Sequence, residues 1–442
     1  MISLEDIALR GVVGAGGAGF PSAVKLDARP EYVIVNAAEC EPLLHKDIAI
    51  LEHHAPAVFA GLTAAMRITN AKAGIIAIKK KHSSVIKKLT AVLPLGISVV
   101  ELEDFYPAGD EFTLVYSVTG RVIQPGELPI TCGCVVLNVE TLFNIGREGP
   151  VTDKFLTVGG AVSEPATVRV PIGASYADVL AKFRIEAEGF RIFTGGLMMG
   201  VLEPEKDQLE KPVTKTTGGI IVLPHDHACV ASRERFSRPG MTVKIAKSSC
   251  DQCWYCTEQC PRYLLGHPVR PEAAMRNRLM AGADGGRDTA FHQGNLYCCE
   301  CNLCTQYSCP EDIDPAGAAL MEKKRARQSG PAVKWNGGVV AAHPLADFRR
   351  TPVRKLMQRL DVLKYKNEGP FRDAGIDPRS VTVLLKQHAG KPAEPVVIAG
   401  QKVSRNDRIA SADGPVSANL HAPIGGVVRS VTDSAITIAR SS

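Results

Sequence analysis

Eight of the thirteen cysteines fall in two runs whose spacing suits iron–sulfur ligation. The first is Cys250-x2-Cys253-x2-Cys256-x3-Cys260-Pro261, and the second is Cys298-x2-Cys301-x2-Cys304-x4-Cys309-Pro310. Three cysteines at i, i+3 and i+6 wrap a loop around one [4Fe–4S] cubane, and the cysteine before proline reaches the other cluster in two-cluster proteins. The pattern predicts one cluster on Cys250, Cys253, Cys256 and Cys309, and a second on Cys298, Cys301, Cys304 and Cys260. The second run has one residue more than usual before its last cysteine, and Cys299 lies in reach as a rival to Cys298, which the spacing favours. Structural zinc takes two CxxC pairs separated by a loop, and successive x2 spacings closing on Cys-Pro do not suit it. Each cubane takes one electron, so the chemistry expected is single-electron transfer between two clusters near enough to exchange. The remaining cysteines, Cys40, Cys132, Cys134, Cys229 and Cys299, read as small buried hydrophobes.

A second candidate site is the loop Gly14-Ala-Gly-Gly-Ala-Gly-Phe-Pro21, with Lys25 beyond it. Glycines at this density let backbone approach a phosphate or a flat ring, and N–H groups in such a nest attract anions. No Gly-Lys-Ser/Thr follows, which excludes a Walker A loop, and no strand directly precedes it as a Rossmann fingerprint requires. Three strings follow in order: Asn36-Ala-Ala-Glu39-Cys-Glu41-Pro42 with Lys46-Asp47, Tyr106-Pro-Ala-Gly109-Asp-Glu111, and Leu137-Asn138-Val-Glu140-Thr141. Together with the glycine loop they resemble the flavin- and NADH-binding subunit of respiratory complex I, and more closely the C subunit of the Rnf electron-transport complex. The resemblance spans residues 11–145 and continues through Pro171–Leu180 and both cysteine runs.

The resemblance implies FMN held by Gly14, Gly16, Lys25, Asn36, Glu39, Tyr106, Gly109, Asn138 and Thr141. It also implies NADH stacked over the flavin near Gly17, Phe20 and Glu41. Residue chemistry agrees: Lys25 can neutralise phosphate, and Asn36 and Asn138 offer both donors and acceptors. Ala38 stands where complex I flavin subunits carry an acid, which puts that position in doubt.

These residues need elements to hold them. Tyr32–Asn36, Ala73–Ile78 and Ile97–Leu102 read as buried strands, alternating with helices at Ala55–Ile68 and Ser83–Leu93. That alternation predicts a parallel sheet in an α/β flavin-binding domain over residues 1–150. Strands at Phe155–Val158, Ala166–Pro171 and Gly219–Leu223, with a helix at Tyr176–Phe183, suit a β-grasp module over 151–240. Residues 241–330 read as a helical, ferredoxin-like two-cluster domain with helices at Pro271–Ala281 and Pro315–Arg327. A Pro- and Arg-rich linker with one helix, Pro352–Leu360, covers 331–377. Short strands punctuated by Gly, Pro and Asp predict a small β barrel-sandwich over 378–442.

The C-terminal strings Val396–Ser404 and Leu420-His-Ala-Pro-Ile-Gly-Gly-Val-Val428 resemble biotinyl/lipoyl-type hybrid modules. No lysine occupies a swinging-arm tip, so a docking role is expected. In the Rnf C subunit the comparable segment precedes the flavin domain, whereas here it comes last. This order resembles the corrinoid (cobalamin) reductases of propanediol-utilisation microcompartments. That likeness implies NADH as donor, FMN and two [4Fe–4S] clusters as carriers, and a corrinoid cobalt as acceptor. It further implies a corrinoid adenosyltransferase and microcompartment components as partners, with the chemistry carried by cofactors rather than by a catalytic side chain. The cobalamin-binding Asp-x-His-x2-Gly pattern is absent. Two alternatives are a peripheral electron-input subunit of an Rnf-type membrane complex and a non-catalytic iron–sulfur relay.

Composition bounds these readings. The formal charge of +6 over 442 residues is too small to argue for nucleic acid. No run of 18 apolar residues predicts a membrane span, and Glu5 and Asp6 precede any apolar run, unlike a secretory signal. A cytoplasmic location is expected, where cysteines serve as metal ligands rather than disulfides.

Overall fold

The computed structural model describes residues 1–238, 240–280, 294–328 and 335–440. Its first module carries β1 (Tyr32–Ala37), β2 (Ala73–Lys79), β3 (Ile97–Leu102), β4 (Phe105–Tyr106) and β5 (Cys134–Asn138). The four longer strands form a parallel sheet in the order β3-β2-β1-β5. Its helices are α1 (Leu4–Leu9), α2 (Ser22–Leu26), α3 (Lys46–Thr69), α4 (Ser83–Thr90), α5 (Glu111–Thr119) and α6 (Val139–Gly146). Val33 and Val35 of β1 enter a core shared with α3 and α6, while Ile34 enters another with Leu114 and Val115 of α5. Burial on both faces explains the unbroken apolar run, as parallel sheets require.

Helix α3 starts nine residues before the expected Ala55. Its chain kinks at His54 (φ −133°, ψ 23°), just ahead of Pro56. Proline removes a donor and crowds the preceding turn, which here bends the helix without ending it. The extra turns carry Lys46 and Asp47 inward, where both are buried. α3 crosses α6 backbone to backbone: a β-carbon on Gly61 would lie 1.9 Å from the Leu142 carbonyl oxygen, and one on Gly146 2.0 Å from that of Ala57. By length and composition α3 could span a bilayer, yet 56% of its apolar window is buried inside the protein. Packed on α6, it is a core helix.

The second module is a five-stranded mixed sheet of β6 (Asp153–Gly160), β7 (Ala166–Pro171), β8 (Phe190–Thr194), β9 (Val201–Leu202) and β10 (Gly219–Pro224), with α7 (Tyr176–Leu180). Strand order is β7-β6-β10-β8-β9, and β10 runs parallel to β6 between two antiparallel hairpins. The third module is helical: α8 (Ala228–Ser237), α9 (Met241–Ser249), α10 (Tyr255–Glu258), α11 (Pro261–Leu264), α12 (Pro271–Met280) and α13 (Pro315–Gln328). Ala281, the expected last residue of α12, lies outside the described residues.

The stretch expected to be a linker is a packed strap. Its β11 (Thr351–Pro352) pairs antiparallel with β4, and α14 (Val353–Arg359) follows. Val353, Leu356, Met357, Leu360 and Val362 are buried with Tyr106, Phe193 and Cys301, so one cluster joins three modules. The C-terminal module closes two antiparallel sheets, of four and three strands, on a single apolar core.

Candidate functional site

The site lies at the carboxyl ends of the parallel strands, where open α/β sheets bind ligands. Asn36 ends its run on β1, and its Nδ2 donates to the Gly109 carbonyl at 2.8 Å. Asn138 ends β5 and caps α6, its Oδ1 accepting from the Glu140 N–H at 3.0 Å. Its Nδ2 donates to Asp47 Oδ2 at 2.7 Å. The glycine loop folds over this edge: Gly14 N–H donates to the Phe20 carbonyl at 2.8 Å, and Gly19 N–H to that of Gly14 at 3.1 Å. Gly17 has φ +114°, a backbone region open to glycine. The Ala15 N–H donates to Thr141 Oγ1 at 2.9 Å, tying the loop to α6.

Under the cleft floor runs a buried ionic network. Lys46 Nζ lies 2.5 Å from Asp47 and 3.3 Å from Glu140, and Lys154 also pairs with Glu140. Burial alone would lower the Lys46 ammonium, but Asp47, Glu140 and Glu39 outweigh it and hold the group above its usual range. Burial draws Lys154 down to about 8. Glu39 accepts from the N–H groups of Asp47 and Ile48 at 3.1 and 3.4 Å, at the start of α3. Burial, then the Asp47 charge, pushes it up to about 8. Glu41 reaches the second module, accepting from Met198 and Met199 N–H at 2.9 and 2.7 Å, and burial pushes it up to about 7. Lys25 pairs with Glu111 at 2.6 Å.

All twelve residues expected at the flavin and nucleotide site line one cleft of about 500 Å³. Lys46, Asp47, Met199, Thr216, Arg262, Cys299 and Cys301 line it too. Lys46-Asp47 was present in the motif string, whereas Met199 and Thr216 come from another module and carry no local signal. Tyr106 is buried, and its hydroxyl donates to the Cys301 carbonyl at 2.7 Å, joining the cleft to the second cysteine run. An FMN-sized group fits the chemistry of this lining: glycines open the wall, amides and N–H groups could meet the ring and ribityl chain, and Lys25, Lys46 and Arg262, each paired with a carboxylate, bring positive charge to it.

Among the described residues no three ligating side chains converge as a single-ion site would require, and the cysteines sort into two sets by the charges each thiol feels. The Cys256 thiol, pushed up to about 12 by burial and then Glu272, also feels Cys309, Cys253 and Cys250. Cys260 is raised by burial and by Cys299 and Cys298, while Cys304 is raised by burial and by Cys298, Cys256 and Cys260. Cys301 is raised by its hydrogen bond with Cys299, by burial, and by Cys260 and Cys304. The last cysteine of each run therefore sits with the other run. The adjacent carboxylates are engaged elsewhere: Glu272 accepts from the Thr257 hydroxyl, and Asp314 from those of Thr242 and Thr305. An all-sulfur set of this kind suits an iron–sulfur cubane. Of the five other cysteines, Cys134 and Cys229 are buried as expected and Cys132 is half-buried. Cys40 and Cys299 instead line the cleft.

Three family models match the chain: the Nuo51 FMN-binding domain over residues 7–147, a 4Fe-4S dicluster domain over 249–314, and the RnfC barrel sandwich hybrid domain over 364–441. Fold and site thus define a multidomain α/β protein of the flavin- and iron–sulfur-binding class. Over 99% of its length the chain is 40% identical to cobalamin reductase PduS of Citrobacter freundii and 39% identical to that of Salmonella typhimurium, covering 96% of each. It belongs to the PduS cobalamin reductase family. The C subunit of the sodium-translocating ferredoxin:NAD(+) oxidoreductase complex of Acetobacterium woodii is 32% identical over 58% of this chain and 56% of its own.

Proposed function

We propose that this chain is an NADH-dependent corrinoid reductase, working with FMN and two [4Fe–4S] clusters. The observation that carries the reading is the shared wall: Cys299 and Cys301 line the same cleft as the twelve flavin-site residues. Full-length kinship with cobalamin reductases supports the acceptor, whereas the Rnf-type relative matches little more than half the chain. The modules are taken as residues 1–150, a β-grasp over 151–240, the cluster domain over 241–330, the strap over 331–377, and the barrel-sandwich over 378–442. The mixed strand order, with the last strand inserted parallel to the first, supports the β-grasp assignment.

The proposed flavin and nucleotide residues are those assigned from sequence, and the proposed cluster ligands are Cys250, Cys253, Cys256 and Cys309, with Cys298, Cys301, Cys304 and Cys260. Cys298 is kept as the ligand on its x2 spacing to Cys301 and Cys304. Bound FMN takes an electron pair and releases it singly, and each cubane carries one electron. The protein binds and orients. Lys46, held cationic under the cleft, offsets anionic charge on the flavin side, and Glu41, raised toward neutrality, lowers the negative charge a dinucleotide meets. The net reaction takes one NADH and two Co(II) corrinoids to NAD⁺, one proton and two Co(I) corrinoids. A corrinoid adenosyltransferase in the same microcompartment is the proposed consumer of the product.

The test is anaerobic reduction by NADH, followed separately at the flavin band and at the corrinoid. Cys256→Ser is expected to retain fast flavin bleaching while corrinoid reduction slows at least tenfold. Full-rate corrinoid reduction after cluster loss would assign the cubanes to another acceptor.

A further inference from the structure

A second concavity, of about 270 Å³, opens where the cluster module meets the strap. Tyr255 and Tyr307 form one wall, and Phe348, Arg349, Arg350 and Lys355 form the other. The tyrosines belong to the cysteine runs themselves: Tyr255 directly precedes Cys256, and Tyr307 lies between Cys304 and Cys309. The opposite wall is the strap, which also touches a cluster loop, because Arg359 Nη2 donates to the Cys309 carbonyl at 3.1 Å. Through these tyrosines the groove adjoins both cysteine runs, next to Cys256 and between Cys304 and Cys309.

Its surface is unlike ordinary solvated exterior. Phe348 is 83% exposed and Tyr255 50% exposed, both lining one concavity, and exposed aromatics of this kind mark interaction sites. Three cations face one carboxylate, Glu258, which Arg349 meets at 3.4 Å. Arg350 is held by Asp347 at 2.6 Å, and among the described residues no carboxylate pairs with Lys355. Aromatic faces beside one cation without a carboxylate partner, Lys355, and two arginines each shared with one, suit a ligand with a broad apolar ring system and an anionic phosphodiester. Among the described residues no imidazole or thiol lines the groove, so it offers a metal centre no strong side-chain ligand.

Resting on the reductase reading, we infer that this groove is where the corrinoid acceptor docks, its macrocycle edge against Tyr255, Tyr307 and Phe348 and its nucleotide-loop phosphate toward Lys355 and Arg350. The strap would then have two tasks, bracing the modules and forming the acceptor's outer wall.

The probe is cob(II)alamin, added anaerobically to the loaded full-length protein in equilibrium dialysis, without NADH. Phe348→Ala with Lys355→Glu changes two exposed side chains and is expected to weaken cobalamin retention at least tenfold. Iron content and NADH-driven ferricyanide reduction should stay unchanged. Lys355→Arg alone should keep binding. Equal retention by wild type and the double variant would overturn the groove as the site while leaving the reductase reading intact. A wild type that neither retains nor reduces cobalamin, yet still reduces ferricyanide, would overturn both.

Discussion

Cys229 and Cys253 are the same residue type in different surroundings. Cys229 is buried and its Sγ donates to the Leu360 carbonyl at 3.3 Å, so its sulfur already has a structural task. Cys253 is exposed and sits with Cys256 and Cys309. Serine at Cys253 or at Cys301 is expected to lose one cluster, about four of about eight irons, while serine at Cys229 loses none. Iron and sulfide analysis of anaerobically purified protein decides this, and equal loss from Cys229→Ser would refute the ligand assignment. Gly16 allows a second test at this scale. A β-carbon there would stand 3.3 Å from Asn138 Cβ at the cleft wall, tighter than ordinary contact. Gly16→Val is expected to release flavin and keep iron. Flavin retained at full stoichiometry, with normal bleaching by NADH, would place the cofactor elsewhere.

At the scale of elements, the site depends on how closely α3 and α6 approach. Asn138 and Thr141 sit at the start of α6, and Lys46 and Asp47 at the start of α3, so the crossing at Gly61 and Gly146 sets the cleft. Gly61→Val drives a side chain into the Leu142 carbonyl, and overpacking of this kind costs about 1–3 kcal/mol. Lower thermal stability together with weaker flavin retention is expected, and calorimetry with flavin release measures both. An unchanged melting temperature would mean that the helices part freely. Strands β1 and β2 were legible because runs buried on both faces leave a nearly unbroken apolar string, and the edge strand β3, with Ser98 and Glu101 exposed, through its Val99-Val100 pair between Ile97 and Leu102. The start of α3 was not, since Pro56 reads as a first-turn proline while the tertiary contacts of Lys46 and Asp47 extend the helix past it. The strap was hidden for a related reason. Val353, Leu356, Met357 and Leu360 make a short stripe inside a Pro- and Arg-rich stretch, and only its partners in the other modules give that stripe a function. The two cysteine runs were legible because the spacing within each is local, whereas the contributions of Met199 and Thr216 follow from docking of a second sheet.

At the scale of the whole molecule, Lys215 fastens three modules with one side chain. Only 2% exposed, it donates from Nζ to the Gly11 carbonyl at 2.7 Å and to that of Asn419 at 2.8 Å. Two donors meeting two carbonyls is what a neutral amine supplies, and burial, then the Arg147 charge, draws the group down from 10.5 to about 7. His388 and His421 feel the same lysine, and burial lowers both, His421 to about 4, so neither adds charge near neutrality. The sign of the pH effect follows from proton counting. Between about 7 and 10.5 the unfolded chain binds a proton at Lys215 that the folded chain does not, so this group makes stability rise with pH across that window. Lys215→Met removes that contribution and leaves two carbonyls unpaired, a loss of about 1–3 kcal/mol for each buried group left unsatisfied. The variant is therefore expected to melt lower at every pH. Its deficit against wild type should be smallest near pH 7 and grow toward pH 10, because only the wild type gains from the neutral amine. Anaerobic thermal melts of both proteins from pH 7 to 10 isolate the term, since other titrating groups, the cysteines among them, cancel in the difference. A constant deficit across that range would show that Lys215 stays protonated in the fold and that the three modules are fastened by an ammonium.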